Sequence, residues 1–410
     1  MLTLLLPILA HALTVTVGDT SEARVRSDDT GAHVDLVTTG RLALSLGLTR
    51  ANWTLFYSPS ITQLGLGSSD STLILYNAGG LNLNLRLSSR TTVDVSESVG
   101  YGTQNLRALA VAAAQPNAAT ATGQTGTTGP AAGQDSSNGG AAGSTVLAAR
   151  DNATIGFGTL SSTIGVTRVL DQKWATRWSA GYAISGGVDS QSEAVIPRAR
   201  TYTSSLTLSR LMSQRDQALS LASVNYTLTE PSAEAFVATL SVGWTHRFTP
   251  RTNVTVTGGE AYTASTAIDG THYAGFLPVA GVVFTTTKAR PFAGGRLTAM
   301  GATNVSPFVD RVTGSAVPML TTTIGATWNR RRLTLQIAGQ GATAIGHQSQ
   351  SVVTSNYGLS ESATYKLDRQ HWTVTAGSRQ ALQRFADSQR LPIFWTTFIS
   401  LTYTTSTGPF

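Results

Sequence analysis

The sequence predicts an all-β fold, a transmembrane up-and-down antiparallel β-barrel of about eighteen strands. Three observations predict it. Segments of alternating apolar and polar residues recur from end to end, tight polar junctions recur at a near-constant spacing, and aromatic residues collect beside those junctions. No stretch beyond the N-terminus reaches the roughly 18 apolar residues that a membrane helix needs. Any membrane crossing must therefore use strands.

Alternation is the dominant pattern. Leucines in Arg41–Arg50 alternate with small or polar residues, and the four leucines of Leu81–Leu87 alternate with Asn82, Asn84 and Arg86. Since successive side chains of a strand point to opposite faces, each segment is a strand with one apolar face. A soluble sandwich would show the same alternation, so the pattern alone does not place the chain in a membrane.

Tight junctions that carry arginine or lysine divide the chain into units of roughly 40 residues, with one longer interval that contains an insert. A unit of that length holds two long strands, a loop and a turn. A propeller blade would need four short strands in the same space, and two long ones are visible. The markers are Arg50, Arg90, Lys173, Arg215, Arg251, Arg290, Arg331 and Arg369.

Eight such turns join sixteen strands, and one more strand precedes and follows them, near Leu13–Arg26 and Leu391–Thr405. An even strand number brings both termini to one side of the barrel. Large aromatic side chains lie within four residues of the turn markers, which is typical of the girdle at a bilayer interface. Capping of a soluble core is the alternative for these aromatics, which are Trp53, Trp174, Phe248, Phe292, Trp328, Tyr365 and Trp372.

Composition narrows the function classes. Net charge is +7, but the arginines are scattered and no basic patch with interleaved aromatics exists, so a nucleic-acid partner is not expected. There is no cysteine, which excludes disulfides and thiolate metal sites. No G-x-S-x-G elbow, H-E-x-x-H motif or phosphate loop is present. The sequence therefore predicts neither an enzyme nor a cofactor.

Two segments differ from the barrel pattern. Residues 1–12 form an apolar run that ends in Ala10-His11-Ala12, an A-x-A cleavage pattern, so we expect a signal peptide and a mature barrel from 13 to 410. The alternative is that Leu2–Leu9 belongs to a buried strand. Residues 112–145 are a low-complexity stretch rich in Ala, Gly, Thr and Ser. We expect a flexible external loop there, or else a constriction folded into the lumen.

With its apolar leader, serial alternating strands, aromatic-flanked turns and terminal Phe410, the chain resembles outer-membrane β-barrel porins of Gram-negative bacteria. The resemblance implies an outer-membrane location among lipid, with the tight turns and both termini periplasmic. It also implies that Phe410 is recognised by the barrel-assembly machinery, although Thr407–Phe410 departs from the usual alternating apolar ending. The strand number further resembles barrels of polysaccharide export, which would have periplasmic export proteins as partners.

Residues that alternation places on the polar face are expected to line the lumen; they are Asn82, Asn84, Arg86, Asp94, Gln336 and Gln340. Inward arginine would favour anions or acidic groups on sugars. Equally, such arginines could pair with inward acids and stabilise the wall. Glu97 is an exception, because alternation puts it on the lipid face; a bulge or a position near the interface would account for it.

Three functions remain open at this point. The first is a pore that passes hydrophilic solutes or ions, because a barrel of this size encloses water unless something fills it. The second is the outer-membrane exit of a polysaccharide export system. The third is a structural barrel with a filled lumen. Conductance would separate the third from the first two.

Overall fold

A computed structural model describes residues 13–28, 31–67, 71–105, 154–230, 233–267, 270–289, 294–309, 316–345, 353–368, 371–385 and 393–407. The expected signal peptide, the 112–145 segment and Phe410 lie outside these residues. The elements are β1 Leu13–Asp28, β2 Gly31–Gly47, β3 Ala51–Leu64, β4 Thr72–Arg86, β5 Thr91–Asn105, β6 Thr154–Val169, β7 Trp174–Gly187, α1 Ser190–Val195, β8 Ala199–Leu211, β9 Asp216–Thr229, β10 Ala233–Thr249, β11 Thr252–Thr266, β12 His272–Ala289, β13 Arg296–Val309, β14 Ala316–Arg330, β15 Leu333–Ala344, β16 Val353–Lys366, β17 Trp372–Phe385 and β18 Ile393–Thr407.

Each strand pairs antiparallel with the strands before and after it in the chain, and β1 pairs with both β2 and β18. The sheet therefore closes on itself as an up-and-down barrel of eighteen strands among the described residues. This confirms the expected fold and strand number. The first and last strands occupy 13–28 and 393–407, within two residues of the bounds expected from alternation.

The eight basic junctions all fall between hairpin partners. Two of them join ladder partners through only two residues, Thr249 to Thr252 and Arg330 to Leu333, and Arg331 in the second has a positive φ of 50°. Between β6 and β7 the carboxylate of Asp171 accepts hydrogen bonds from the amides of Lys173 and Trp174, at 2.7 and 2.8 Å. These bonds favour the ionised form and hold the pKa of Asp171 below its ordinary value.

Ladder register separates two faces of the wall. Large apolar side chains on one face are widely exposed, such as Leu240, Val242 and Phe276 with 63, 64 and 70%. The opposite face carries hydroxyl, amide and charged groups. In a closed barrel in lipid the apolar face must be the outer one, because only water or protein can satisfy the polar groups.

Aromatic side chains mark the turn end of the outer face. Trp328 pairs with outward Leu335, and Trp372 pairs with Tyr403, with ring centroids 4.8 Å apart. Trp53, Trp174, Phe248 and Tyr365 share this face and this end by register. The aromatic girdle expected from the sequence is therefore present for six of its seven members, and Phe292 lies outside the described residues.

In the described part of the chain one helix, α1, interrupts the strands, between β7 and β8. Asp189 caps it by accepting from the Ser192 amide at 2.8 Å, and the Ser192 hydroxyl accepts from the Gly156 amide at 3.0 Å. These bonds fasten the helix to the end of β6. Within the described ranges, no helix has the length and apolar character needed to cross a membrane.

Glu97 lies on the outer face, since it pairs with Leu81 and is flanked by outward Val99. The ladders of β5 with β4 and β6 run through it without a register shift, so the suggested bulge is wrong. It is the seventh of fifteen residues in β5. A carboxyl group therefore lies on the lipid side in the middle of a strand. The loss of stability from a charged residue at such a position is smaller for acids than for arginine or lysine.

The assignment of faces can be tested with single cysteines, because the sequence has no cysteine of its own. Ser96 faces the lumen, where its hydroxyl donates to the side-chain oxygen of Asn82 at 2.8 Å, whereas adjacent Glu97 faces lipid. We expect a charged, water-soluble thiol reagent to label Ser96→Cys in nanodiscs and to leave Glu97→Cys unmodified.

A lipid-soluble maleimide serves as the control and should modify the Glu97→Cys variant. Equal labelling of both positions by the water-soluble reagent would show that the faces are wrongly assigned.

Candidate functional site

The residues predicted to line the lumen all lie on the inner face by ladder register. Asn82, Asn84 and Arg86 share alternate positions of β4, and Asp94 is the ladder partner of Asn84 on β5. Four of the six are thus brought together on one hairpin. Gln336 and Gln340 lie on β15, seven strands away along the shorter arc of the wall. Their role in lining a pathway stays a prediction.

The β4–β5 hairpin forms a polar patch with its own internal partners. Asp94 approaches Arg177 of β7 across Gly165, with 3.4 Å between Oδ2 and Nη2. The ideal Cβ of a side chain at Gly165 would lie 2.2 Å from that carboxylate, so glycine leaves the room for this pair. Both partners are about 40% exposed. An ion pair so open to water contributes about 1 kcal/mol or less to stability.

Hydroxyl pairs between neighbouring strands extend the polar inner wall around the barrel. The oxygen atoms of each pair are 2.7 to 3.0 Å apart, and each pair joins two directly opposed residues of the inner face. Such groups can exchange these bonds for bonds to water or to sugar hydroxyls. The pairs are Thr20–Thr402, Ser45–Thr54, Ser98–Ser161, Ser179–Ser205, Thr245–Thr255 and Thr364–Thr375.

Basic residues outnumber acidic residues on the inner face. Among the strand residues whose side chains the structure describes, three acidic residues face inward by register: Glu22, Asp35 and Asp94. Nine basic residues face inward there, so the excess is nine minus three, or +6. They are Arg24, Arg26, Arg41, Arg86, Arg177, Arg247, Arg296, Lys366 and Arg379.

A group that sequence analysis missed lies where the barrel closes. We name it the seam cluster: Glu22, Arg24 and Arg26 of β1, Asp35 of β2 and Arg379 of β17. Nε of Arg24 and Nε of Arg26 lie 3.5 and 3.2 Å from the same Oδ2 of Asp35. On the other side, Nη1 of Arg379 lies 3.5 Å from Oε1 of Glu22.

Asp35 anchors the seam cluster, because its side chain is fully buried. Its second oxygen, Oδ1, accepts from the Gly65 amide at 3.0 Å, which ties the end of β3 to β2. Arg24 and Arg26 thus share one carboxylate, and its other oxygen already accepts a hydrogen bond from the Gly65 amide. Since buried charges need partners, removal of the Asp35 charge should cost far more than removal of an exposed acid.

One pattern in the sequence could have revealed part of this group. Glu22, Arg24 and Arg26 occupy alternate positions of the first strand, so they share a face. Their partners come from β2 and from a strand close to the other end of the chain. Only closure of the barrel brings Arg379 beside Glu22, and alternation within one strand carries no information on closure.

Replacing Asp35 with Asn tests its role as an anchor. The amide oxygen still accepts from Gly65, but Arg24 and Arg26 lose their common counter-charge in a buried place. We expect a loss of about 3–5 kcal/mol in unfolding free energy. Guanidinium unfolding of the folded barrel in detergent, followed by tryptophan fluorescence, measures it.

Asp94→Asn is the matched control, because it removes an inward acid from an exposed ion pair, and its loss should be about 1 kcal/mol or less. Equal unfolding midpoints for the two variants would contradict the anchoring role of Asp35.

No group of three or more His, Asp or Glu side chains able to hold a metal ion is found in the described ranges. The arrangement offers instead a wide polar surface with fixed positive charge. From eighteen strands at a spacing of about 4.8 Å and a tilt near 40°, the barrel is roughly 35 Å across between backbones.

A solved structure has a similar fold. The FrpB iron transporter of Neisseria meningitidis, in its apoprotein form, has a TM-score of 0.52 at 7% identity over 91% of this chain and 62% of that one. This likeness shows the fold alone. The OccK11 (OpdR) protein of Pseudomonas aeruginosa has a TM-score of 0.46 at 11% identity over 96% of both chains.

Sequence comparison adds the family. No relative was found among curated proteins. A family model described as the EpsX exopolysaccharide export family matches residues 6–408, which is nearly the whole chain. The match includes every strand of the barrel. This outer-membrane β-barrel chain therefore belongs to the EpsX exopolysaccharide export family.

Proposed function

We propose that the chain forms a hydrophilic pore in the outer membrane and that its cargo is an exported polysaccharide. The observation that carries the pore is the contrast between the two faces of a closed eighteen-strand wall. Its outer face is apolar with an aromatic girdle at the turn end, whereas its inner face carries hydroxyl pairs and an excess of +6. Where no protein fills the lumen, water and hydrated solutes satisfy such a polar inner face.

Family membership supports the cargo. The matched family is named for export of a polymer rather than for a catalysed reaction. A polysaccharide is rich in hydroxyl groups, and the inner wall presents paired hydroxyls on many of its strands. Many weak, exchangeable bonds let a polymer slide, because binding must be favourable enough to enter and weak enough to leave.

The topology supports an orientation. Eight short turns lie at one end, and both termini lie at that end because the strand number is even. In outer-membrane barrels the short turns face the periplasm, so the termini are placed there. Export proteins of the periplasm would then meet the turn end. Phe410 would be available to the assembly machinery on the same side, after removal of residues 1–12 as a signal peptide.

Reconstitution in a planar bilayer tests the pore. We expect an open-channel current with mild anion preference, because the inner face has excess positive charge. Replacing Arg86 with Glu should move the reversal potential toward the cation value, since Arg86 faces inward at the turn end of β4.

Arg210→Glu is the control, because it makes the same charge change on the outer face, where Arg210 lies 5.1 Å from the Trp174 ring. An Arg210→Glu shift as large as that of Arg86→Glu would show that Arg86 does not line the pathway. A barrel without current would favour a filled lumen.

The orientation has its own test. A protease site inserted between Gly126 and Gly139 should be cut on intact cells, since that segment connects β5 and β6 at the end opposite the tight turns. The same site in the Asn329–Arg332 turn should be cut only after the outer membrane is opened. The reverse pattern of cleavage would show that the barrel is inserted the other way.

A further inference from the structure

Away from the turn end, the inward positive charge lies on one side of the lumen. The inward arginines there are Arg24, Arg26, Arg41 and Arg379, on the strands β1, β2 and β17, and β18 lies between β17 and β1. Arg177 is the exception, and it has its own acid in Asp94. Most other inward basic residues lie at the turn ends of their strands. The wall at the seam therefore differs from the rest of the lumen.

The two acids of the seam cluster neutralise part of this charge, but they are less exposed to the lumen than the arginines. Asp35 is fully buried, and the Glu22 side chain is 13% exposed. The arginines reach further out, with 20% of the Arg24 side chain and 30% of the Arg379 side chain exposed. A solute in the lumen thus meets guanidinium groups, while the carboxylates lie behind them.

Arg24 has unused donor capacity. Its Nε is buried and makes no hydrogen bond, although it is near the Asp35 carboxylate. A guanidinium has five N–H donors in a planar fork that matches a carboxylate. Among the described residues no hydrogen bond involves the terminal nitrogens of Arg24, so they can donate to a second acid from the lumen.

Phe398 on β18 lies between the strands that carry the two accessible arginines. It is the ladder partner of Arg24, and the guanidinium carbon of Arg379 lies 4.1 Å from its ring centroid. The ring itself covers Gly377, where a Cβ would lie 2.9 Å from the ring. Because the ring supports it, the Arg379 side chain is held in place and loses less freedom when it binds.

We infer that the seam cluster is a binding site for acidic groups of the polymer in the lumen, with Arg24 and Arg379 as its two contacts for carboxylates. This inference rests on the proposed function and names the class of cargo, a polysaccharide that contains uronic acid. Arg26 and Asp35 hold Arg24 in position. The acid would join the fork of Arg24 without displacing Asp35.

Calorimetric titration of the full-length folded barrel in nanodiscs tests the site. Hexagalacturonate is the probe, and maltohexaose is the neutral control of equal length. We expect hexagalacturonate to bind and maltohexaose to bind at least about tenfold more weakly. Arg24→Gln and Arg379→Gln should each weaken hexagalacturonate about tenfold, as loss of a charge-assisted bond does. Arg177→Gln, an inward arginine outside the cluster, should stay within about twofold.

Equal affinities for the three variants, or equal affinity for the two oligosaccharides, would overturn the site. A purely structural role would lower the unfolding midpoint of Arg24→Gln and leave its affinity unchanged. If Arg24→Gln does not fold, Arg24→Lys keeps the charge but loses the planar fork, and it should still weaken binding several-fold.

The titration needs no current, so it separates this inference from the pore. If the barrel binds hexagalacturonate through Arg24 but carries no current, the binding site is supported and the proposed pore is contradicted. If the barrel conducts ions but all variants bind the probe equally well, the proposed pore is supported and the binding site is contradicted.

Discussion

The structure depends on one constraint, that no backbone amide or carbonyl can be left unpaired in hydrocarbon. A sheet meets it only if its first and last strands pair. Here β1 and β18 pair over thirteen residues, from Val15 with Thr407 to Ser27 with Trp395. Everything else follows from that closure: an inside and an outside, alternation that sorts side chains between them, and short turns that keep neighbours in register.

The outer and inner faces solve different problems with the same strands. On the outer face, large apolar side chains contact lipid, and aromatic side chains lie at the turn end. Inside, the wall has to keep polar groups satisfied without a core, and it does so with hydroxyl pairs across neighbouring strands. Four acidic residues that face outward within their strands depart from this division: Asp19, Glu97, Glu260 and Glu361.

Most of the architecture could be predicted from the sequence because it is local. Alternation, turn spacing and aromatic position each act within one hairpin, so the strand number and the faces of Asn82 and Gln336 follow from neighbouring residues. The seam cluster could not be found that way. Its ion pairs join strands from opposite ends of the chain, and the register that sets Arg379 beside Glu22 appears only in the closed barrel. A charge such as Arg26 on its own also looks the same whether it lines a pathway or supports a buried acid.

The closing pair also sets how the chain responds to added length. Thr20 and Thr402 are hydrogen-bonded across 382 residues. Joining points that far apart costs about 5 kcal/mol of chain entropy by the logarithmic law, and each doubling of the interval adds only about 0.6 kcal/mol. A low-complexity insert between β5 and β6 therefore raises this cost by only about a tenth of a kcal/mol. A change in loop length therefore has almost no effect on the free energy of closure. The residues that pair at the seam, in contrast, must keep their register.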